Sequence, residues 1–566
     1  MNIFTKARIL YGMIRWRMSW GKTYTDYVFT LPENPKFIGV REAMARIPDG
    51  AVLGITGIGG NIRCTIPFYA LRERFQATGS PSGLTLVVIS GHGGRGMIPG
   101  TVEELGQAGL LARLFTAHTE TYKAMLKLAD AGTLEIQVLP QGTFSMLLAA
   151  QARGEEYLEN TSGLGTFIDP RTGRGTPLVP ADAPQYVEYV DGQLRWTCPK
   201  VDVALFNVPA ADRKGNLYTR GASMIGEAKD LARIARRNGG QVIANVGMLV
   251  EEGYDEIFLR ADEVDAIVLH PETEQTCGIP HRKAWDFFTP QSTLALDEGV
   301  ARVRFINHLL GVTPRRKLAD NALARLAAQI FCQHARPGAR VDIGVGLPEE
   351  VSRILAEQEV TRDITMLNES GVFGGTAAPG IYFGAAVNPI EIVSSAEAFE
   401  RIFAGLDAAI LGALEVDSAG NVNVSKRGEG AKNYVGPGGF IDLTSVARMI
   451  IFCASWMARG EVGVAGDRMT VPAHSAPKFI EQVSEITFNG AEALKRGQQV
   501  FYVTHVGAFE LTPEGMALRC LLPGIDLQRD VLDVATMKIL LPEDGKVPVA
   551  DGNVVSGRGY RIALNP

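Results

Sequence analysis

Two stretches of this sequence repeat one another, and the repeat limits the fold more than any other feature. Asp202-Val203-Ala204-Leu205, followed by Asp212-Arg213-Lys214-Gly215-Asn216-Leu217, returns as Asp407-Ala408-Ala409-Ile410, followed by Asp417-Ser418-Ala419-Gly420-Asn421-Val422. Aspartate, alanine, aspartate, glycine and asparagine keep their spacings. Each copy reads as a buried strand, a short link and a turn in which Gly-Asn favours left-handed backbone. The opening of the chain repeats too: residues 336–348, with Gly344-Val345-Gly346-Leu347-Pro348, echo residues 47–67. An apolar strand at 241–246 has its counterpart at 449–453. A duplication on this scale, in a chain of 566 residues, predicts two homologous open α/β domains fused in tandem, with a cleft between them. The expected divisions are a basic prefix at 1–36, a first domain at 37–290, a polar, less periodic linker at 291–316 and a second domain at 317–566.

Within each repeat, short apolar runs lead into glycine-rich turns. Residues 51–55 read as a strand, Thr56-Gly57-Ile58-Gly59-Gly60-Asn61 as a turn, and Pro67 as the opening of a helix over 68–75. Free amides and the helix dipole make such a unit suited to an anion. A second strand at 84–89 precedes Gly91-His92-Gly93-Gly94-Arg95-Gly96, which spells G-x-G-x-x-G. The acidic residue that a dinucleotide site needs after a second strand is not evident. In the second repeat, a strand at 363–367 delivers Asn368-Glu369-Ser370-Gly371-Val372-Phe373-Gly374-Gly375. A carboxylate thus stands at the strand end where α/β sheets bind ligands, in a turn that lets a large substrate approach the backbone. Gly436-Pro437-Gly438-Gly439-Phe440 is a further turn with amides to offer. Lys426, Arg427 and Lys432 lie nearby as phosphate contacts or as ordinary solvated cations.

Composition excludes several classes. A net charge of −6 and a pI near 5.9 oppose a general nucleic-acid binder. The six cysteines are dispersed without a C-x-x-C pair, and the eight histidines include no H-E-x-x-H. The expectation is therefore free thiols in a reducing cytoplasm and no metal site. His92 and His118 read as structural. The prefix differs from the rest: Lys6, Arg8, Arg15, Arg17 and Lys22 interleave with Ile9, Leu10, Met13, Ile14 and Trp16. It reads as a terminal helix docked on its own protein or a sister subunit, with peripheral membrane contact or a transit segment as the alternatives.

Taken in order, residues 49–67, 139–142 and 163–171, the paired Gly-Asn segments, Glu369–Gly375 with Phe383-Gly384 and Asn388, and residues 436–443 resemble the family I coenzyme A transferases. The acetate/propionate branch, in which both subunit-like halves share one chain, matches best. The resemblance spans residue 37 to the end. It implies that Glu369 is the nucleophile, forming an acyl-glutamyl anhydride and then a glutamyl-CoA thioester in a ping-pong exchange between an acyl-CoA and a free short-chain acid. Coenzyme A is then a substrate, and no cofactor is required. For the oxyanion the candidates are Gly438 and Gly439 with Asn421 or Asn423, and Gly59 and Gly60 in reserve. Gly344, Gly346 and Lys426 are candidates for CoA. A homo-oligomer is expected. The sequence departs from the family pattern at Gly59-Gly60-Asn61, which lacks a phenylalanine, at Ala117-His118-Thr119, which lacks a tryptophan, and at the bulky Phe373. Three other readings remain: an acyl-CoA hydrolase using the same glutamate, a non-catalytic acyl-CoA sensor, and a nicotinamide oxidoreductase built on residues 84–96.

Overall fold

The computed structural model describes residues 1–59, 61–92, 98–175, 178–251, 253–273, 286–312, 316–378 and 380–566. The first half forms an eight-stranded sheet from β1 (Val52–Ile55), β2 (Leu84–Val87), β3 (Leu111–Thr116), β4 (Glu135–Val138), β5 (Val203–Asp212), β6 (Leu217–Tyr218), β7 (Gln241–Val250) and β8 (Ala266–Leu269). The second forms a seven-stranded sheet from β9 (Arg340–Ile343), β10 (Thr365–Leu367), β11 (Leu406–Gly412), β12 (Ala447–Cys453), β13 (Gln499–Val503), β14 (Gly507–Thr512) and β15 (Gly515–Leu521). The first runs β8-β7-β5-β1-β2-β3-β4, with β6 beside β5, and the second runs β10-β9-β11-β12-β13-β14-β15. The parallel order β2-β1-β5-β7-β8 is thus repeated as β10-β9-β11-β12-β13. Each half extends this shared core differently, the first with parallel β3 and β4, the second with antiparallel β14 and β15.

The repeated residues do the same work twice. The Asp202 carboxylate accepts from the Val52 N–H at 2.9 Å, and Asp407 accepts from the Arg340 N–H at 2.9 Å, each joining neighbouring strands where they start. At the last residue of β5, Asp212 accepts from the Asn216 N–H and side-chain amide at 3.0 and 2.8 Å, and beyond β11 Asp417 does so from Asn421 at 3.0 and 3.1 Å. Strand β5 is buried throughout and β12 from Met449 to Cys453, as parallel strands covered on both faces require.

The halves share one apolar core. Its main cluster runs from β1 and β5 through Phe373, Phe399 and Phe440 of the second half. Helix Gln141–Arg153 packs on helix Ser395–Phe403, and Gly142 has no β-carbon because the Phe399 ring fills that space. The segment read as a linker contains a helix, Leu296–Leu310. Its buried Val303, Ile306 and Asn307 are spaced for one helical face, a short stripe that its polar flanks obscure. Asn388 ties this region down, its side-chain amide donating to the Leu294 carbonyl and its oxygen accepting from the Ser292 hydroxyl, both at 2.7 Å. The prefix is helical over Ile3–Met18 and docks through Trp16 beside Phe287, Phe288, Val303 and Ile306.

Candidate active site

Glu369 follows β10 at the carboxyl end of the second sheet, within the tight turn closed by the Gly371 N–H on the Asn368 carbonyl at 3.0 Å. Gly371 holds φ of +84°, and a β-carbon there would run into the Val393 carbonyl. Ser370 turns away from the cleft, its hydroxyl on the Gly384 carbonyl at 2.5 Å. This leaves the Glu369 carboxylate as the group that the turn presents. Its Oε2 is shielded from solvent, and no described residue hydrogen-bonds it. Burial, and then the negative charges of Asp342 and Asp442, push its pKa up to about 8. Asp342 on β9 is itself buried and raised to about 7.

The opposite wall is the 436–439 turn. Glu369 Oε2 lies against the α-carbon of Gly439, where any β-carbon would overlap it. That turn is held by the first half: the Gly438 N–H donates to the Ala117 carbonyl at 2.9 Å, and the Gly438 carbonyl accepts from the Gln141 N–H at 2.9 Å. Asp442 completes the junction. Its carboxylate accepts from the Gly142 and Thr143 N–H groups at 2.7 and 3.1 Å and from the Thr143 hydroxyl at 2.7 Å. A carboxylate of one half thus satisfies the first turn of a helix in the other. Burial raises the Asp442 pKa to about 6 against the pull of these bonds.

The structure brings Glu369 and Gly439 together and commits most of the other flagged residues elsewhere. Both backbone groups of Gly438 are spent. Asn421 gives its amide to Asp417 and accepts the Gly490 N–H at 3.1 Å, so it belongs to the duplicated turn. Asn423 is fully buried, donating to Glu415, the Lys426 carbonyl and Ser484. The Gly59 N–H donates to the Gly91 carbonyl, and Gly59 is pressed on the Phe383 carbonyl of the second half. Gly60, and Gly93, Gly94, Arg95 and Gly96 of the G-x-G-x-x-G stretch, lie outside the described residues, as does Cys277. The Gly344 N–H is used by the Ile410 carbonyl, whereas Gly346, at φ of +94°, borders open space. Lys426 pairs with Glu429 at 2.8 Å. His92 is buried against Phe68 and Gly57, and burial with the nearby Arg63 lowers its pKa to about 3. The Phe373 ring sits in the shared core with Arg401 above it.

Sequence reasoning passed over Gln141, Asp342 and Asp442. The Gln141 side-chain nitrogen is buried, has no partner among the described residues, and flanks the same Gly438-Gly439 pair as Glu369. A buried amide donor and a buried carboxylate oxygen, each without a partner, are costly in a folded protein. Acyl transfer uses both kinds of group, a nucleophile and a donor to the developing oxyanion. Among the described residues no group of side chains could hold a metal ion.

No protein-family model matches the chain. It is 30% identical over 517 residues to the caffeate CoA-transferase of Acetobacterium woodii, covering 88% of this chain and 93% of that one. To the acetate CoA-transferase YdiF of Escherichia coli O157:H7 it is 28% identical over 88% of this chain and 91% of the relative. The crystal structure of the YdiF apoenzyme superposes with a TM-score of 0.81 at 25% identity, over 95% of this chain and all of that one. The same enzyme solved as a thioester complex with CoA gives 0.81 over 94% of this chain. Likeness to the first relative along nearly its whole length, with the same two-sheet fold in the second, makes this chain a CoA-transferring enzyme of family I of the coenzyme A transferases.

Proposed function

We propose that Glu369 carries CoA between an acyl-CoA and a free short-chain carboxylate by way of two covalent intermediates. The observation that supports this most directly is its carboxylate Oε2, buried, without a partner and set against Gly439. The carboxylate attacks the thioester carbonyl, forming a C–O bond, and the C–S bond breaks to release CoA thiolate and leave a mixed anhydride. The thiolate then attacks the glutamyl carbonyl, the anhydride C–O bond breaks, and the first acid departs from a glutamyl-CoA thioester. A second carboxylate repeats the two steps in reverse. No proton is consumed, and none of these steps calls for a metal or an added cofactor. The Gln141 amide and the Gly439 N–H are the donors to the developing oxyanion, a contribution of typically about 3 kcal/mol each. Gly346, open to solvent beside the exposed Val345, is the contact retained for CoA.

The relatives named for caffeate and for acetate bracket the acid, and we take the short-chain acids as substrates. A cytoplasmic homo-oligomer completes this reading. The described cysteines are free thiols, four of them buried, which suits a reducing compartment.

Intact-protein and peptide mass after incubation with acetyl-, propionyl- or an aromatic acyl-CoA tests the reading. A CoA adduct on the Glu369 peptide, trapped by borohydride and missing from Glu369→Gln, is the expected result. An adduct that decays to free acid without an acceptor makes the chain a hydrolase. Tight CoA binding with no adduct from any donor makes it a sensor.

A further inference from the structure

Helix Ile3–Met18 has two apolar faces. One is spent: Ile9, Met13 and Trp16, continued by Trp20, pack on Phe287, Phe288, Val303 and Ile306. Side chains follow one another at about 100° around a helix. That winding gathers Ile3, Phe4, Leu10, Tyr11, Ile14 and Met18 on the opposite side. All six are exposed, from 45% for Leu10 to 83% for Phe4. The same winding sets Lys6 and Arg17 along one border of this outer arc and Arg8 and Arg15 along the other, all four exposed. No acid precedes Asp26, although the chain as a whole carries a net charge of −6. The cations are therefore concentrated on this helix and placed in two rows that bracket an apolar strip.

We propose that this helix lies in the headgroup plane of an anionic lipid surface, with the outer arc in the acyl boundary and the two cation rows on the lipid phosphates and carboxylates. An apolar arc bordered on both sides by long cationic side chains fits an interface, because those stems reach up to the headgroups while the arc sinks. A second copy of the chain fits it less well. Two such helices paired about a twofold axis would bring each set of cations against the same set. The inner face stays docked in the bound state, so the enzyme is held to the surface without unfolding its prefix. The exposed positions contribute nothing to the cleft around Glu369, so surface binding and catalysis are separable.

The test is cosedimentation of the full-length enzyme with vesicles of phosphatidylcholine and phosphatidylserine, beside vesicles of phosphatidylcholine alone. Binding is expected to the first, weakening as salt rises. Phe4→Glu with Ile14→Glu should lower it at least tenfold with CoA transfer unchanged, which also shows that the variant is folded. Arg8→Gln with Arg15→Gln should lower it by about tenfold or more, each cation near an anionic surface being worth roughly a fivefold change. Failure to sediment with anionic vesicles, equal binding to phosphatidylcholine alone, or full binding by the Phe4→Glu, Ile14→Glu variant overturns the proposal. A wild-type oligomer that this variant splits, with no vesicle binding by either, overturns it in favour of an interface between copies.

Discussion

At Gly439 the absence of a side chain is a requirement of the site, since the Glu369 carboxylate occupies the place where a β-carbon would go. Its φ is −83°, so alanine meets no backbone objection there and the conflict is with the carboxylate alone. Gly439→Ala is expected to leave the protein folded, move the carboxylate by about an ångström and lower kcat by about a hundredfold. Steady-state kinetics beside a thermal melt check this; a folded variant with wild-type kcat would refute the contact. The charge on Glu369 gives a second expectation. Only the ionised form attacks a thioester, and burial with two carboxylate neighbours holds its pKa near 8. The kcat/KM for the acyl-CoA donor should therefore rise with pH and level off above about 8. Asp342→Asn removes one negative neighbour, so Glu369 ionises more readily and the rising limb should move to lower pH. An unmoved limb would show that Asp342 does not act on Glu369.

At the scale of elements, the two Asp–Asn turns are one device used twice. Asn421 holds Asp417 and the Gly490 N–H, while Asn216 holds Asp212 and the Ala261 N–H at 2.9 Å. Asn421→Ala and Asn216→Ala should each cost about 1–3 kcal/mol of stability, by denaturant unfolding. The kcat of Asn421→Ala should stay within a few-fold of wild type; a large loss would return Asn421 to the oxyanion site. These turns were legible in the sequence because backbone demands there are met by residues a few positions apart. So were the strands β1, β7, β10 and β12, whose apolar runs and bounding glycines are local signals. Helix Leu296–Leu310 was not, because its apolar face is short and is completed by Tyr382 and Val387 of the second half and by Trp16 of the prefix. Glu369 was found from its motif. That Gly438 had no N–H to offer could not be read, since its acceptor is the carbonyl of Ala117, far away in sequence.

At the scale of the molecule, the site exists because two similar halves face each other, and polar groups buried across their junction decide how firmly. Arg427 meets Glu120 at 2.6 Å, but both are exposed and such pairs contribute little. Asp442 differs: it is buried and accepts the Gly142 N–H, the Thr143 N–H and the Thr143 hydroxyl from the opposite half. The Asn489 amide on the Gly165 carbonyl at 2.9 Å, and the Phe167 N–H on the Ile486 carbonyl at 2.8 Å, add to the same seam. Contacts of this kind, with an apolar core that crosses the seam, should hold the halves together without a peptide link. Coexpressed as residues 1–312 and 313–566, the two pieces are expected to purify as a one-to-one complex that transfers CoA at close to the rate of the intact chain. Placing Asp442→Ala in the second piece strips three donors of their acceptor in a buried seam. That should cost about 2–4 kcal/mol, a loss of some thirtyfold to a thousandfold in the affinity of the pieces by titration. Pieces that stay apart, or a complex indifferent to Asp442, would mean that the covalent connection rather than the seam aligns Glu369 with Gln141.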